Sequence, residues 1–188
     1  MPATKLRAAI GLRSTWFSVG VLSLAPPAPN TPVVYGAQVS LGGTVRGVTG
    51  VTLEQRPSGG QWQSVGPVAG GTVRLTQKPS LTTDYRLATS SAAAGSVRIR
   101  VAPSIKVTAF TATNVAGSVL PVLPGAPVAV QQQNPDLTTW TTVATGSVDA
   151  DGTFSVPAQL VSGGTYRVSV LPASGYAPGA TAPQVVVR

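Results

Sequence analysis

The chain has no cysteine and no histidine in 188 residues, and Asp plus Glu together number five. Without cysteine there can be no disulfide and no thiolate metal site. Without histidine there can be neither a Ser-His-Asp triad nor an imidazole-ligated metal. Glu54 is the sole glutamate, and Arg56 two residues along makes a surface ion pair the expected partner. Glycosidase-type acid/base chemistry needs two carboxylates across a cleft, and no such pair is visible. Asp149, Asp151 and Gly152 resemble the start of a Ca²⁺ loop, but the later ligands and the bidentate glutamate are missing. Asp-Gly between Val148 and Phe154 reads instead as a hairpin turn. No catalytic residue, metal ligand or cofactor site is therefore assigned, and enzymatic activity is not expected of this chain.

Long apolar runs are also lacking. The longest, Trp16–Ala25, is half of the roughly 20 residues that a spanning helix needs, so no transmembrane segment is expected. Lys5, Arg7 and Arg13 precede this run in the manner of a signal segment. Pro26 and Pro29, however, follow the natural cleavage points at Ala25 and Ala28. Residues 1–25 read either as an atypical signal segment or as the remnant end of an upstream domain.

Aromatic residues make up only 5% of the chain, so a core must be built from Val, Leu and Ala. Glycine (21) and proline (17) are abundant enough to exclude long helices and to favour short strands between turns. The net charge of +8 is unevenly placed. Residues 1–106 hold 11 basic and 2 acidic residues, a balance of +9; residues 107–188 hold 2 and 3, a balance of −1. A basic first half suits an anionic surface such as peptidoglycan or another wall polymer. Nucleic acid is not expected as a partner, because no recognition helix, aromatic platform array or metal knuckle accompanies the charge.

Residues 26–32, rich in proline, read as a semi-rigid linker. Beyond it the chain repeats itself. Val51–Arg56 aligns with Val128–Gln133; Trp62 and Val65 align with Trp140 and Val143. Gly71-Thr72-Val73-Arg74-Leu75 aligns with Gly152-Thr153-Phe154-Ser155-Val156. Tyr85-Arg86-Leu87 aligns with Tyr166-Arg167-Val168, each tyrosine 14 residues after its glycine. Val97–Val101 and Val185–Val187 close the two halves. The expected fold is all-β: two tandem immunoglobulin-like sandwiches, residues 33–103 and 104–188, preceded by the segment 1–25 and the linker. Tyr85 and Tyr166 occupy the place of a tyrosine corner, where the hydroxyl satisfies a backbone group. Trp62 and Trp140 are the candidate glycan contacts. Each is three residues from its valine, so a regular strand places the two on opposite faces. If the valines face the core, the indoles lie on the outer face or beside a bulge, and core or edge packing is the alternative role.

One stretch falls outside the repeat. Leu6-Arg7 followed by Gly11-Leu12-Arg13-Ser14-Thr15-Trp16-Phe17 resembles the closing segment of the stage II sporulation protein D family. There a short helix leads into a Gly-Leu-x-Ser-x-x-Phe end strand of the catalytic domain. The resemblance covers residues 5–24. It implies that the chain begins inside the last strand of a peptidoglycan-active catalytic domain at the outer face of the membrane. The family's catalytic glutamate and groove lie upstream and match nothing here. On this reading the sandwiches are non-catalytic accessory, binding or spacer modules of an exported cell-envelope protein. The alternative is a free-standing secreted structural or adhesion protein.

Overall fold

A computed structural model describes residues 4–10, 13–27, 31–172 and 175–186, with only the backbone course described for those up to residue 18. Gly11 and Leu12 of the family resemblance, residues 28–30 of the linker and Val187 of the closing strand lie outside the described residues.

Among the described residues all regular structure is β. The first strands are β1 (Thr4–Ile10), β2 (Arg13–Val19), β3 (Val21–Ala25), β4 (Val33–Val34), β5 (Val39–Arg46), β6 (Thr52–Pro57), β7 (Gln63–Pro67), β8 (Gly71–Gln77), β9 (Thr83–Ala88) and β10 (Val97–Ile99). The rest are β11 (Val101–Ala102), β12 (Ser104–Phe110), β13 (Asn114–Leu120), β14 (Pro127–Gln133), β15 (Trp140–Ser147), β16 (Thr153–Pro157), β17 (Thr165–Val170), β18 (Gly179–Ala180) and β19 (Gln184–Val185). Among the described residues no helix is long and apolar enough to cross a membrane.

Internal contacts divide the chain into two units, residues 1–33 with 37–100 and residues 34–36 with 101–188. In the first, a three-stranded sheet β3-β5-β8 faces a four-stranded sheet β10-β9-β6-β7. In the second, β12-β13-β16 faces a sheet in which β14 lies between β15 and β17, and β17 also pairs with β18 and β19. Both are immunoglobulin-like sandwiches with the same strand order. Each carries its own core. Val39, Leu41, Val45, Leu53, Tyr85, Leu87 and Ile99 fill the first. Val115, Val119, Val128, Val130, Phe154, Val156, Tyr166 and Val168 fill the second. The alternation of apolar and polar residues, as in Val128/Val130 and Tyr166/Val168/Val170, points every second side chain inward.

The strand β3 belongs to the first sandwich. It pairs antiparallel with β5, Leu22 opposite Val45 and Leu24 opposite Gly43, and both leucines pack on that core. Residues 21–25, set apart from the repeat on sequence, thus supply a sheet strand; five residues interrupted by Ser23 are too short for alternation to announce one. Preceding it, β1 and β2 form an antiparallel hairpin, Leu6 opposite Phe17 and Arg7 opposite Trp16. The short helix that the family resemblance implies before Gly11 is a strand here.

Local chemistry explains the repeated glycines. Gly71 (φ +117°) and Gly152 (φ +86°) both enter the strand after the crossover between sheets with positive φ, a backbone that side chains with a Cβ resist. The Asp149–Gly152 segment is a closed turn: Asp149 N–H donates to the Thr153 carbonyl at 2.7 Å and Gly152 N–H to the Asp149 carbonyl at 3.0 Å. It does not join a hairpin. Its flanking strands β15 and β16 pair with β14 and β13 in opposite sheets.

Candidate functional site

The outer face of the four-stranded sheet carries most of the first unit's organised charge. Three neighbouring strands supply a ladder: Arg98 on β10 lies opposite Asp84 on β9, and Asp84 opposite Arg56 on β6. Arg98 donates from Nε to Asp84 Oδ1 at 2.8 Å and from Nη2 to Oδ2 at 3.1 Å. Arg56 Nη2 donates to Oδ2 at 2.9 Å. The Asp84 side chain is only 9% exposed, whereas those of Arg56 and Arg98 are 41% and 66% exposed. The Arg98 hydrogen bonds hold the Asp84 carboxyl below the usual carboxylate range; burial opposes this, and Arg56 adds to it. The same contact raises the Arg98 guanidinium further.

One rung along, Arg86 Nε donates to Glu54 Oε2 at 2.7 Å. Glu54 therefore pairs across strands with Arg86 and not with Arg56 two residues along. Register explains this. Glu54 sits directly opposite Arg86, closer than a same-face neighbour on its own strand. Both arginines also lie over Trp62, their guanidinium carbons 4.0 Å (Arg86) and 4.8 Å (Arg56) from the ring centroid, within cation–π range.

The second unit repeats the inner part of this arrangement with neutral groups. Gln131 stands opposite Arg167 as Glu54 stands opposite Arg86. Arg167 Nε donates to Gln131 Oε1 at 2.9 Å and its guanidinium lies 4.2 Å from the Trp140 centroid. Partial burial lowers the Arg167 pKa.

Both tryptophans are half-buried, so neither is a core residue. They pack at the sheet edge against arginine. A register irregularity recurs at Leu53/Glu54 and at Val130/Gln131, the same step of both repeats, and it shifts the edge strand beside each indole. The paired valines do not face the core: Val65 and Val143 are each 43% exposed. Parity left open which way the valines point, and their exposure answers it; β7 and β15 each end their sheet.

The tyrosine corner is realised in the second unit, where Val161 N–H donates to the Tyr166 hydroxyl at 2.9 Å. Tyr85 is equally buried at 1% exposure; burial raises its pKa, and the Thr83 side chain opposes that shift. The remaining well-placed carboxylates brace turns. Asp136 accepts from Thr139 Oγ1 at 2.6 Å and from the N–H groups of Thr138 and Thr139, both at 2.9 Å. These bonds, the Thr139 hydroxyl first, bring its pKa down to about 2. Asp151 accepts from Thr153 Oγ1 at 2.6 Å and Thr153 N–H at 2.9 Å. Among the described residues no group of three or more acidic side chains is placed to hold a metal ion.

No protein-family description matches the sequence, and no curated protein matches it either. Solved structures similar to this chain include a BSP domain of a biofilm-associated protein, at 12% identity and a TM-score of 0.37 over 82% of this chain. This chain spans 28% of that one. Another is a segment of two fibronectin type-III domains from chicken tenascin, at 14% identity and a TM-score of 0.43, covering 88% of this chain and 98% of that one. A third is the chicken interferon gamma receptor alpha chain, at 11% identity and a TM-score of 0.38, covering 89% and 97%.

Proposed function

We propose that the two sandwiches are non-catalytic binding or spacer modules of an extracellular protein. The observation that carries this reading is where the reactive side chains are spent. Glu54 and Asp84 lock neighbouring strands through arginine, and Asp136 and Asp151 brace turns. Each of these four carboxylates thus does structural work within its unit, whereas glycoside hydrolysis needs two that act across a cleft.

The basic first module suits an anionic wall polymer such as peptidoglycan, with Trp62 and Trp140 as contact residues at the sheet edges. The finer reading, accessory modules of a peptidoglycan-active protein of the stage II sporulation protein D family in the cell envelope, is supported by residues 5–24 alone. Retention of the full chain on purified peptidoglycan tests the binding reading. Retention that falls with ionic strength and with Trp62→Ala or Trp140→Ala is the expected result. A chain that washes through at low salt is a spacer and not a binder of this polymer.

A further inference from the structure

At one end of the charged ladder lies a mainly polar cavity of about 250 Å³, lined by Arg56, Asp84, Arg98 and the β6–β7 turn Ser58-Gly59-Gly60. We infer that this cavity binds a single oxyanionic group, a phosphate or carboxylate carried by a larger molecule, between the guanidinium groups of Arg56 and Arg98.

Three features converge on this assignment. First, two cations share one carboxylate, so the cavity keeps a surplus positive charge. Each guanidinium carries five N–H donors in a fixed fork. Asp84 takes Nε and Nη2 of Arg98 but only Nη2 of Arg56, which leaves donors on both for a second anion. Second, the arginines are already held. Asp84 holds both through hydrogen bonds, and the Trp62 ring centroid lies 4.8 Å from the Arg56 guanidinium carbon, so less side-chain freedom is lost on binding. Third, the turn offers further donors. Ser58 N–H donates to the Thr82 carbonyl and Gly60 N–H to the Pro57 carbonyl. Among the described residues the Ser58 hydroxyl and the Gly59 N–H have no partner. Gly59 holds φ at +77°, where a residue with a Cβ would be strained.

The second module argues that the fold itself does not require these charges. Register places Gln133 where Arg56 stands, Thr165 where Asp84 stands and Val185 where Arg98 stands. That sheet forms with the same strand order and no ion pair there. The cavity is smaller than the roughly 300–1,000 Å³ typical of whole small-molecule sites, which fits one charged group better than an entire ligand. Forked guanidinium donors match the oxygens of phosphate and carboxylate alike. The inference deepens the binding reading above and rests on it for the larger molecule.

The test is titration of the full chain with inorganic phosphate and, in parallel, with glucuronate, followed by NMR shifts of backbone amides and arginine Nε–H groups. Saturable shifts confined to Arg56, Arg98, Gly59 and Gly60 are expected. Arg98→Gln and Arg56→Gln should each weaken the response about tenfold or more, while the amide signals of the first module's core residues Leu41, Leu53 and Leu87 stay unmoved as proof of folding. Tighter phosphate binding names a phosphoryl source, and tighter glucuronate binding a carboxylate source. Shifts that do not saturate, or that appear equally at Arg46 and Arg74, overturn the site. Retention on peptidoglycan without saturable shifts also overturns it and leaves the binding reading intact. Saturable shifts without retention support the site and remove that polymer as its bearer.

Discussion

The two sandwiches share one frame and differ in what they mount on it. Each has the same strand order, the same register irregularity in its edge pairing, and an arginine lying over an edge tryptophan. In the first, that arginine is bound by Glu54 and flanked by a ladder of Arg98, Asp84 and Arg56. In the second, its partner is Gln131, and neutral residues stand where the ladder would be. The frame thus depends on apolar alternation and glycine turns, while the charges are an addition to the first module. The ladder, built around one nearly buried carboxylate, thus ties three strands together in the first module alone.

The comparison breaks most severely in the core. Phe154 is 2% exposed in the second cluster, and Phe154→Ala should cost that module about 3–5 kcal/mol. Denaturant unfolding read from amide signals of each module should show the second losing this and the first holding its midpoint. Equal losses in both would mean that the two cores are coupled.

The ladder comes next. Asp84→Asn should destabilise the first module by about 1–2 kcal/mol, the hydrogen bonds to charge being discounted for the exposure of both arginines. The pH dependence follows from the direction of the shift. Asp84 is held below its reference value of 3.8, so its contribution is present above that pH and fades as pH falls through the depressed value. Wild type should therefore lose first-module stability in acid more steeply than Asp84→Asn. Parallel acid profiles would show that the carboxylate stabilises nothing.

The smallest effect sharpens the comparison. Glu54→Gln gives the first module the partner that Arg167 has in the second, and should change its stability by less than about 1 kcal/mol. A larger loss would show that the first module's edge tryptophan depends on a charged pair, in contrast to its counterpart.

Much of the frame was legible in the residues. Trp62 and Trp140, Gly71 and Gly152, Tyr85 and Tyr166 appear in the same order, with 14 residues from glycine to tyrosine in both halves. Other features were not legible. Leu22 and Leu24 occupy too short a strand for alternation to reveal, and only pairing with β5 shows where they belong. Which way Val65 and Val143 point stays open on parity alone, and only their exposure in the folded sheet decides it. Glu54 looks like the partner of Arg56 until register sets Arg86 opposite it. The candidate site was less legible still: Arg56, Asp84 and Arg98 are separated by up to 42 positions and share no motif.

By itself, the sequence determined that this protein has no thiol or imidazole chemistry, that its structure is β, that it repeats, and that its positive charge gathers in the first half. Those properties reside in composition and local periodicity, which are properties of neighbours along the chain. Only the tertiary structure decided which arginine meets which carboxylate, which valines are exposed, and that three distant residues enclose one polar cavity. Such contacts form across strands, where register sets the partner, and register is a property of the folded sheet.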